Sequence, residues 1–282
     1  MKRILITGKN SYIGNSLEAW LKKDPDNYSI DKISLRDDGW KEKDFSAYDT
    51  VVHVAGIAHR KETRDNQQLY YKVNRDLAYE VAQKAQKENV KQFIFFSSMS
   101  VYGLEEGVID ENTPLNPTTH YGKSKLQAEE KINELNNNSF KVAIVRPPMI
   151  YGKGCKGNYQ RLRRLALITP VFPDIDNTRS MIYIDNLCEF IRILIDKFIH
   201  GVFCPQNQEY VKTSEMVKLI SNEHGKRLKL VSLFNPIINA INIGTIKKVF
   251  GNLVYAETLK DYKDIEALNF IDFQISIKLT EE

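Results

Sequence analysis

At 282 residues, with 42% hydrophobic and 27% charged side chains, the chain has the make-up of an ordinary globular protein with room for a full nucleotide-binding core and a smaller second lobe. Its formal net charge of +4 is too small to signal nucleic acid or a membrane by itself; it suits an anionic small substrate, but simple solubility explains it as well. Cys155, Cys188 and Cys204 stand in no CxxC spacing, which argues against a disulfide scaffold or a metal site. No apolar run approaches the ~18 residues of a membrane span, so a cytoplasmic protein without membrane or nucleic-acid partners is expected.

Ile4 opens an apolar run that lacks the flanks of a secretion signal, and Ile4–Thr7 predicts a short buried strand. Ile13, Leu17 and Leu21 then recur at helical spacing. Ile30–Leu35 reads as a second strand and Val51–Ala55 as a third apolar run. Val73, Leu77, Val81 and Ala85, four apart, predict the helix that follows. Phe93–Ser97 reads as a strand, Lys123–Leu135 as a helix and Val142–Val145 as a strand. Such alternation implies right-handed βαβ units, hence an α/β fold with a Rossmann-type, doubly wound parallel sheet. The stretch from Arg36 to Tyr48 is too short for a helix (~11 residues on average) plus a strand, so the second unit is truncated.

After Pro147-Pro148 the texture changes. Gly152, Gly154 and Gly157 crowd a loop made positive by Lys156, Arg161, Arg163 and Arg164. A helix at Asn186–Lys197, a strand at Gly201–Cys204 and a helix from Thr213 follow. We expect residues 1–148 to bind a dinucleotide and 149–282 to form mainly a substrate lobe, with some segments returning to the sheet.

The first strand runs into Thr7-Gly8-Lys9-Asn10-Ser11-Tyr12-Ile13-Gly14 and then a helix. This strand–turn–helix entry aims free N–H groups of Ser11, Tyr12 and Ile13, and the positive helix end, at a pyrophosphate. Gly8 permits the turn and Gly14 close packing of helix on sheet; Ser11 stands where a glycine is usual, which lowers the motif's specificity. At the end of the second strand Arg36 suits a 2′-phosphate and hence NADP. A strand one residue longer would give the place to Asp37 and favour NAD. NADP is slightly preferred.

Tyr121 and Lys125 lie four apart on one helical face. An ammonium beside a phenol lowers its pKa, so Tyr121 could exchange a proton with a sugar hydroxyl while hydride moves to or from a nicotinamide. Ser98, just past an apolar strand, could bond the reacting oxygen. Each of these alone is commonly a solvated or loop residue; together with the cradle they point to chemistry.

These residues in this order resemble the extended short-chain dehydrogenase/reductases of the NAD-dependent epimerase/dehydratase family. The likeness covers residues 1 to about 200: Thr7-Gly8 to Gly14, His53-Val54-Ala55-Gly56, Val73-Asn74, Ser97-Ser98 to Gly103, Tyr121 to Lys125, Arg146-Pro147 to Gly152, and Arg179 to Asp185. The resemblance implies catalytic roles for Ser98, Tyr121 and Lys125. It also implies cofactor contacts from Ala55, Gly56, Asn74, Asp44 and Phe45, and substrate contacts from Met149, Asn158 and Arg179. Arg179 would pair with the diphosphate of a nucleotide-diphosphate sugar, as a guanidinium fork suits phosphate.

Departures narrow the reaction. Dehydratases of the family carry Asp-Glu after the catalytic hydroxyl, whereas Met99-Ser100 follow Ser98 here, which disfavours dehydration. No second arginine clamp is recognisable near Asn235-Pro236. The truncated second unit and Arg36 tilt the expectation toward a 4-ketoreductase of surface-polysaccharide sugar synthesis over a UDP-sugar 4-epimerase with tightly bound NAD. A non-catalytic NAD(P) sensor is the third reading. Family likeness also suggests a homodimer through the helices after Val73 and Tyr121.

Overall fold

A computed structural model describes residues 1–58, 60–233, 235, 249–260 and 270–282. In chain order, β1 (Lys2–Thr7), α1 (Tyr12–Leu21), β2 (Tyr28–Ile33) and β3 (Thr50–His53) are followed by a helix in three parts: α2 (Gln67–Tyr70), a π-wound stretch at Tyr71–Leu77, and α3 (Ala78–Lys87). Next come β4 (Gln92–Phe96), β5 (Gly107–Ile109), α4 (His120–Asn133), β6 (Lys141–Val145), β7 (Met149–Tyr151), α5 (Asn158–Ile168), β8 (Val171–Pro173) and β9 (Met181–Tyr183). The chain continues through α6 (Ile184–Lys197), β10 (Gly201–Phe203), α7 (Thr213–Glu223), β11 (Lys229–Val231), β12 (Leu253–Tyr255) and α8 (Phe273–Glu281).

The central sheet is parallel throughout, in the order β10-β6-β4-β3-β1-β2. Alternation along each strand divides the core in two. Ile4, Ile6, Val52, Ile94 and Val145 face α1 and α6, where Leu17, Leu187 and Ile191 pack. Leu5, Val51, Phe93, Phe95 and Ile144 face α3 and α4, meeting Val81, Ala85, Ala128 and Ile132. From β1 the chain turns one way to β2 and then crosses back to β3 on the other side. The connections leaving β1 and β3 therefore run to helices on opposite faces of the sheet, opening a crevice above the strands' C-terminal ends.

Two local differences from the sequence pattern have physical causes. β2 stops at Ile33, short of Leu35, because the Ile33 carbonyl accepts the N–H groups of Gly8 and Lys9 at 2.9 and 3.1 Å. The loop leaving β1 thus closes the strand. Between β2 and β3 there is a single 3₁₀ turn at Asp38–Lys41, and Trp40, Phe45 and Tyr48 fill the core where a helix would otherwise lie. The helix through Val73 is locally π-wound, a widening that often accompanies functional sites.

Strand β6 is fastened to α4 by a buried ion pair. The Arg146 guanidinium donates to both Glu129 oxygens, at 2.5 Å in the shortest contact, and also to the Tyr102 hydroxyl at 2.9 Å. Removing one partner strands the other charge away from water. Glu129→Ala should therefore cost about 3–5 kcal/mol, whereas Glu129→Leu with Arg146→Leu should recover most of the loss. Urea denaturation of the two variants checks this; equal losses would mean that the pair itself, and not the stranded charge, sets the cost.

Candidate active site

The cradle is built at the crossing of β1 and β3. Gly8 has φ +84°, and a Cβ there would stand 3.1 Å from the Ala55 backbone. Ser11, in the place usually held by glycine, is the N-cap of α1: its hydroxyl accepts the Gly14 N–H at 3.0 Å. That bond leaves Gly14 no room for a side chain, since a Cβ would meet the Ser11 Oγ at 2.6 Å and Ile6 at 3.1 Å. The N–H groups of Tyr12 and Ile13 open the helix beside it. Farther along the crevice a Cβ on Gly56 would stand 3.1 Å from Asn74 Oδ1 and 3.4 Å from Lys125 Nζ. This bare backbone floor fits an extended dinucleotide with a phosphate bridge. Buried polar atoms without a hydrogen-bond partner among the described residues are His53 Nε2 and Ser97 Oγ at the ends of β3 and β4, Tyr12 Oη beside Gly152, and Asn235 Oδ1.

Ser98 follows β4, and its hydroxyl bonds the Ser100 hydroxyl at 2.5 Å and accepts the Ser100 N–H at 3.2 Å. Tyr121 is in the first turn of α4 and hydrogen-bonds Ser98; its ring meets Tyr70 edge-on at 6.5 Å. Lys125, one turn on, is 5% exposed and donates to the Phe96 carbonyl at 2.7 Å, with its ammonium 4.7 Å from the Phe95 ring centroid. Burial pushes the Tyr121 phenol above its ordinary pKa, opposed by the bond to Ser98. This differs from the lowering expected from Lys125, because the ammonium bonds the Phe96 carbonyl beside Gly56 rather than the phenol. Lys125 itself is pushed down to about 8 by burial, against the pull of Glu129.

Asn74 is fully buried. It accepts the Ile57 N–H at 2.8 Å, donates to the Ile57 carbonyl at 3.1 Å, and reaches Ser124 Oγ at 3.2 Å. It thereby ties the loop after β3 to α4. Arg36 is exposed, while the neighbouring Asp37 carboxylate accepts the Gly39 N–H at 3.1 Å as the cap of the 3₁₀ turn. Asp44 is exposed and caps Ser46. Phe45 lies wholly in the core with its N–H given to Glu88, so its ring is not offered to a ligand. Met149 begins β7 and is in register with Met181 of β9. Asn158 is the exposed first residue of α5. Arg179, half-buried, donates to the Gly251 carbonyl at 2.7 Å, and burial lowers its pKa against the pull of Glu106. Of the Asn235-Pro236 pair, Pro236 lies outside the described residues.

Residues 4–202 match the NAD dependent epimerase/dehydratase family. The chain belongs to this family. It is 29% identical over 253 residues to an N-acetyl-α-D-glucosaminyl-diphospho-ditrans,octacis-undecaprenol 4-epimerase of Escherichia coli O157:H7, covering 83% of this chain and 76% of that one. It is 32% identical over 249 residues to a UDP-glucose 4-epimerase of Vibrio cholerae, covering 77% and 74%. In fold it is similar to UDP-glucuronic acid 4-epimerase from Bacillus cereus in complex with NAD (TM-score 0.75, 19% identity, 99% and 97% coverage). It is likewise similar to dTDP-4-dehydrorhamnose reductase from Bacillus anthracis in complex with NADP (TM-score 0.72, 22%, 99% and 98%). The chain is an NAD(P)-dependent enzyme of the extended short-chain dehydrogenase/reductase type.

Two contacts of this family member carried no sequence signal, although one involves His53 of the His53-Val54-Ala55-Gly56 run. The Glu62 carboxylate, on the loop after β3, accepts the N–H groups of His120 and Tyr121 at 3.1 and 2.9 Å and so caps the helix that carries Tyr121. His53, buried between Phe93 and Phe95, bonds Thr7 at 3.0 Å; burial, aided by Lys125, lowers its pKa to about 3 and keeps it neutral.

The lowered Lys125 value makes a prediction for stability. It lies below the 10.5 of a free lysine, so the folded chain disfavours the ammonium. That cost is complete below pH 8 and fades as pH rises toward 10.5. The stability of Lys125→Met relative to wild type should therefore be greatest at pH 7 and fall by up to about 3 kcal/mol at alkaline pH. Denaturant titrations of both proteins at pH 7 and pH 10 read it; a pH-independent difference would count against a desolvated ammonium.

Proposed function

We propose that the protein is a 4-epimerase of a UDP-linked sugar. The observation that carries this reading is the Ser98–Tyr121 hydroxyl pair on the floor formed by Gly56, Asn74 and Lys125. Residues 1–148 hold the cofactor and 149–282 mainly the sugar nucleotide. A bound nicotinamide supplies hydride acceptance and return at C4 of the sugar. Tyr121 takes the C4 hydroxyl proton as that carbon is oxidised and returns it to the carbonyl oxygen on re-reduction. Ser98 donates a hydrogen bond to the same oxygen. Lys125 and Asn74 would hold the nicotinamide ribose, and the N–H groups of Ser11, Tyr12 and Ile13 would hold the pyrophosphate. Asn158 and Arg179 take the nucleotide and diphosphate of the substrate, beside Met149. The epimerase reading is supported by the activities named for the E. coli and V. cholerae relatives, both matched over about three quarters of their length.

A 4-ketoreductase using NADP(H) is the second reading. Its support is Arg36, exposed three residues beyond the end of β2 while Asp37 is occupied as a cap, together with the shortened connection after β2.

Native mass spectrometry of the freshly purified protein, followed by assay with UDP-sugars, separates the two. Retained NAD and interconversion without added cofactor are expected; turnover of a UDP-4-ketosugar with stoichiometric loss of NAD(P)H would carry the reductase, and neither would end both. In either case Tyr121→Phe should keep the cofactor and lose at least ~10²-fold in turnover, as its transferable proton is gone. Near-normal turnover would remove Tyr121 from the chemistry.

Arg36 gives an independent test. On the epimerase reading wild type binds NADH at least as tightly as NADPH, and Arg36→Ala alters both alike. A preference for NADPH of about tenfold or more, lost in Arg36→Ala, would place a 2′-phosphate on the guanidinium and favour the reductase. Parallel titrations of the two cofactors decide it.

A further inference from the structure

Between Glu134 and Asp174 the chain has no acidic residue, and residues 153–173 carry five cations, Lys153, Lys156, Arg161, Arg163 and Arg164, against a net charge of +4 for the whole protein. The fold places two of these, Arg161 and Arg164, on one exposed surface. Helix α5 turns Tyr159, Leu162 and Ala166 into the core. At the complementary spacing it exposes Arg161, Arg164, Leu165 and Ile168. Val171 of β8 carries the face onward, in register with the exposed Lys229 of β11, and Lys226 bonds the Leu167 carbonyl at the turn between them. Ile168 is 64% exposed, Val171 42% and Leu165 37%. Arg163 points to the flank, where Glu281 holds it at 2.6 Å. Arg161, Arg164 and Lys229 have no ion-pair partner among the described residues.

Single exposed aliphatic residues are ordinary, and so are solvated basic faces. Here three aliphatic side chains lie close along one face with a cationic fringe and no acid in the segment. Nucleic acid would use the cations but give Ile168 and Val171 nothing to enter. A bilayer bearing anionic headgroups uses both, with phosphates meeting the fringe and the aliphatic tips reaching the acyl boundary. We propose that the outer face of α5 and β8 docks the protein peripherally on an anionic lipid surface. This goes beyond the reading of the catalytic site, and it needs no spanning segment: no helix among the described residues is long and apolar enough to cross a membrane. It also revises the expectation of no membrane partner, which rested on net charge and on the lack of an apolar run of spanning length rather than on where the charge lies.

The test is sedimentation of the full chain with vesicles of phosphatidylcholine alone and of phosphatidylcholine mixed with phosphatidylglycerol, at low and higher salt. Wild type should bind the mixed vesicles, less so as salt rises, and not the neutral ones. Arg161→Glu with Arg164→Glu should weaken binding roughly tenfold or more. Ile168→Ser with Val171→Ser should weaken it severalfold at constant charge, both pairs keeping the wild-type unfolding midpoint and UDP-sugar turnover. The proposal is overturned by no binding of wild type, by equal binding to neutral vesicles, by an indifferent charge reversal, or by a serine pair that binds as wild type does. The last result, with soluble RNA displacing the vesicles, would make the face a general polyanion surface.

Discussion

The exits of β1 and β3 approach so closely that a Cβ on Gly8 would stand 3.1 Å from the Ala55 backbone, at a φ of +84° that disfavours any side chain. Much of the site depends on that contact. The Gly8 turn sends the chain under the end of β2, where two N–H groups of the loop close the strand at Ile33. The same turn delivers Ser11 as the cap of α1 and brings Gly14 against Ile6 and Val54. On the β3 side it leaves Gly56 bare beneath Asn74 and Lys125. A floor of backbone thus results from a packing constraint, and a flat, phosphate-bridged cofactor is the class of molecule such a floor accommodates.

Above that floor the chemistry is set by desolvation. Tyr121, Lys125 and His53 are each held toward the neutral form by burial. A phenol kept protonated is a competent proton donor to a carbonyl oxygen, the role of re-reduction. To take a hydroxyl proton it must first ionise, which the positive ring of an oxidised nicotinamide would favour. A lysine with a depressed pKa is a hydrogen-bond donor whose charge is readily tuned by a neighbouring anion. The geometry is fixed by contacts that do not themselves react. Glu62 caps the helix at Tyr121, Asn74 links the loop after β3 to Ser124, and the Arg146–Glu129 pair secures the helix one turn beyond Lys125.

Charge is distributed as unevenly as polarity. The first half of the chain pairs much of its charge on the surface, as in Lys32–Glu18 and Lys91–Asp49, while α5 presents cations and aliphatic tips together. Hydrophobic burial explains the inner face of α5 and leaves its outer face to be explained by what it meets.

The sequence by itself determined the architecture and the short-range part of the site. Alternating apolar runs at periods of two and about four dictated a parallel sheet with helices on both faces. Tyr121 and Lys125 were legible because four residues bring two side chains onto one helical face, and Gly8 to Gly14 because a strand leads straight into a helix. The tertiary structure alone decided the rest, because the partners are distant in the chain: Glu62 lies 59 residues before Tyr121 and Thr7 46 residues before His53. It buried the Phe45 ring in the core, because a shortened second unit needs bulky side chains to fill the space of a missing helix. It turned the Lys125 ammonium toward Phe96 and away from the phenol, since an i,i+4 spacing fixes a face but not the direction of a long side chain. Composition reported a nearly neutral chain, and folding put Arg161, Arg164 and three aliphatic tips on the outer side of α5 and β8, which no sum over residues contains.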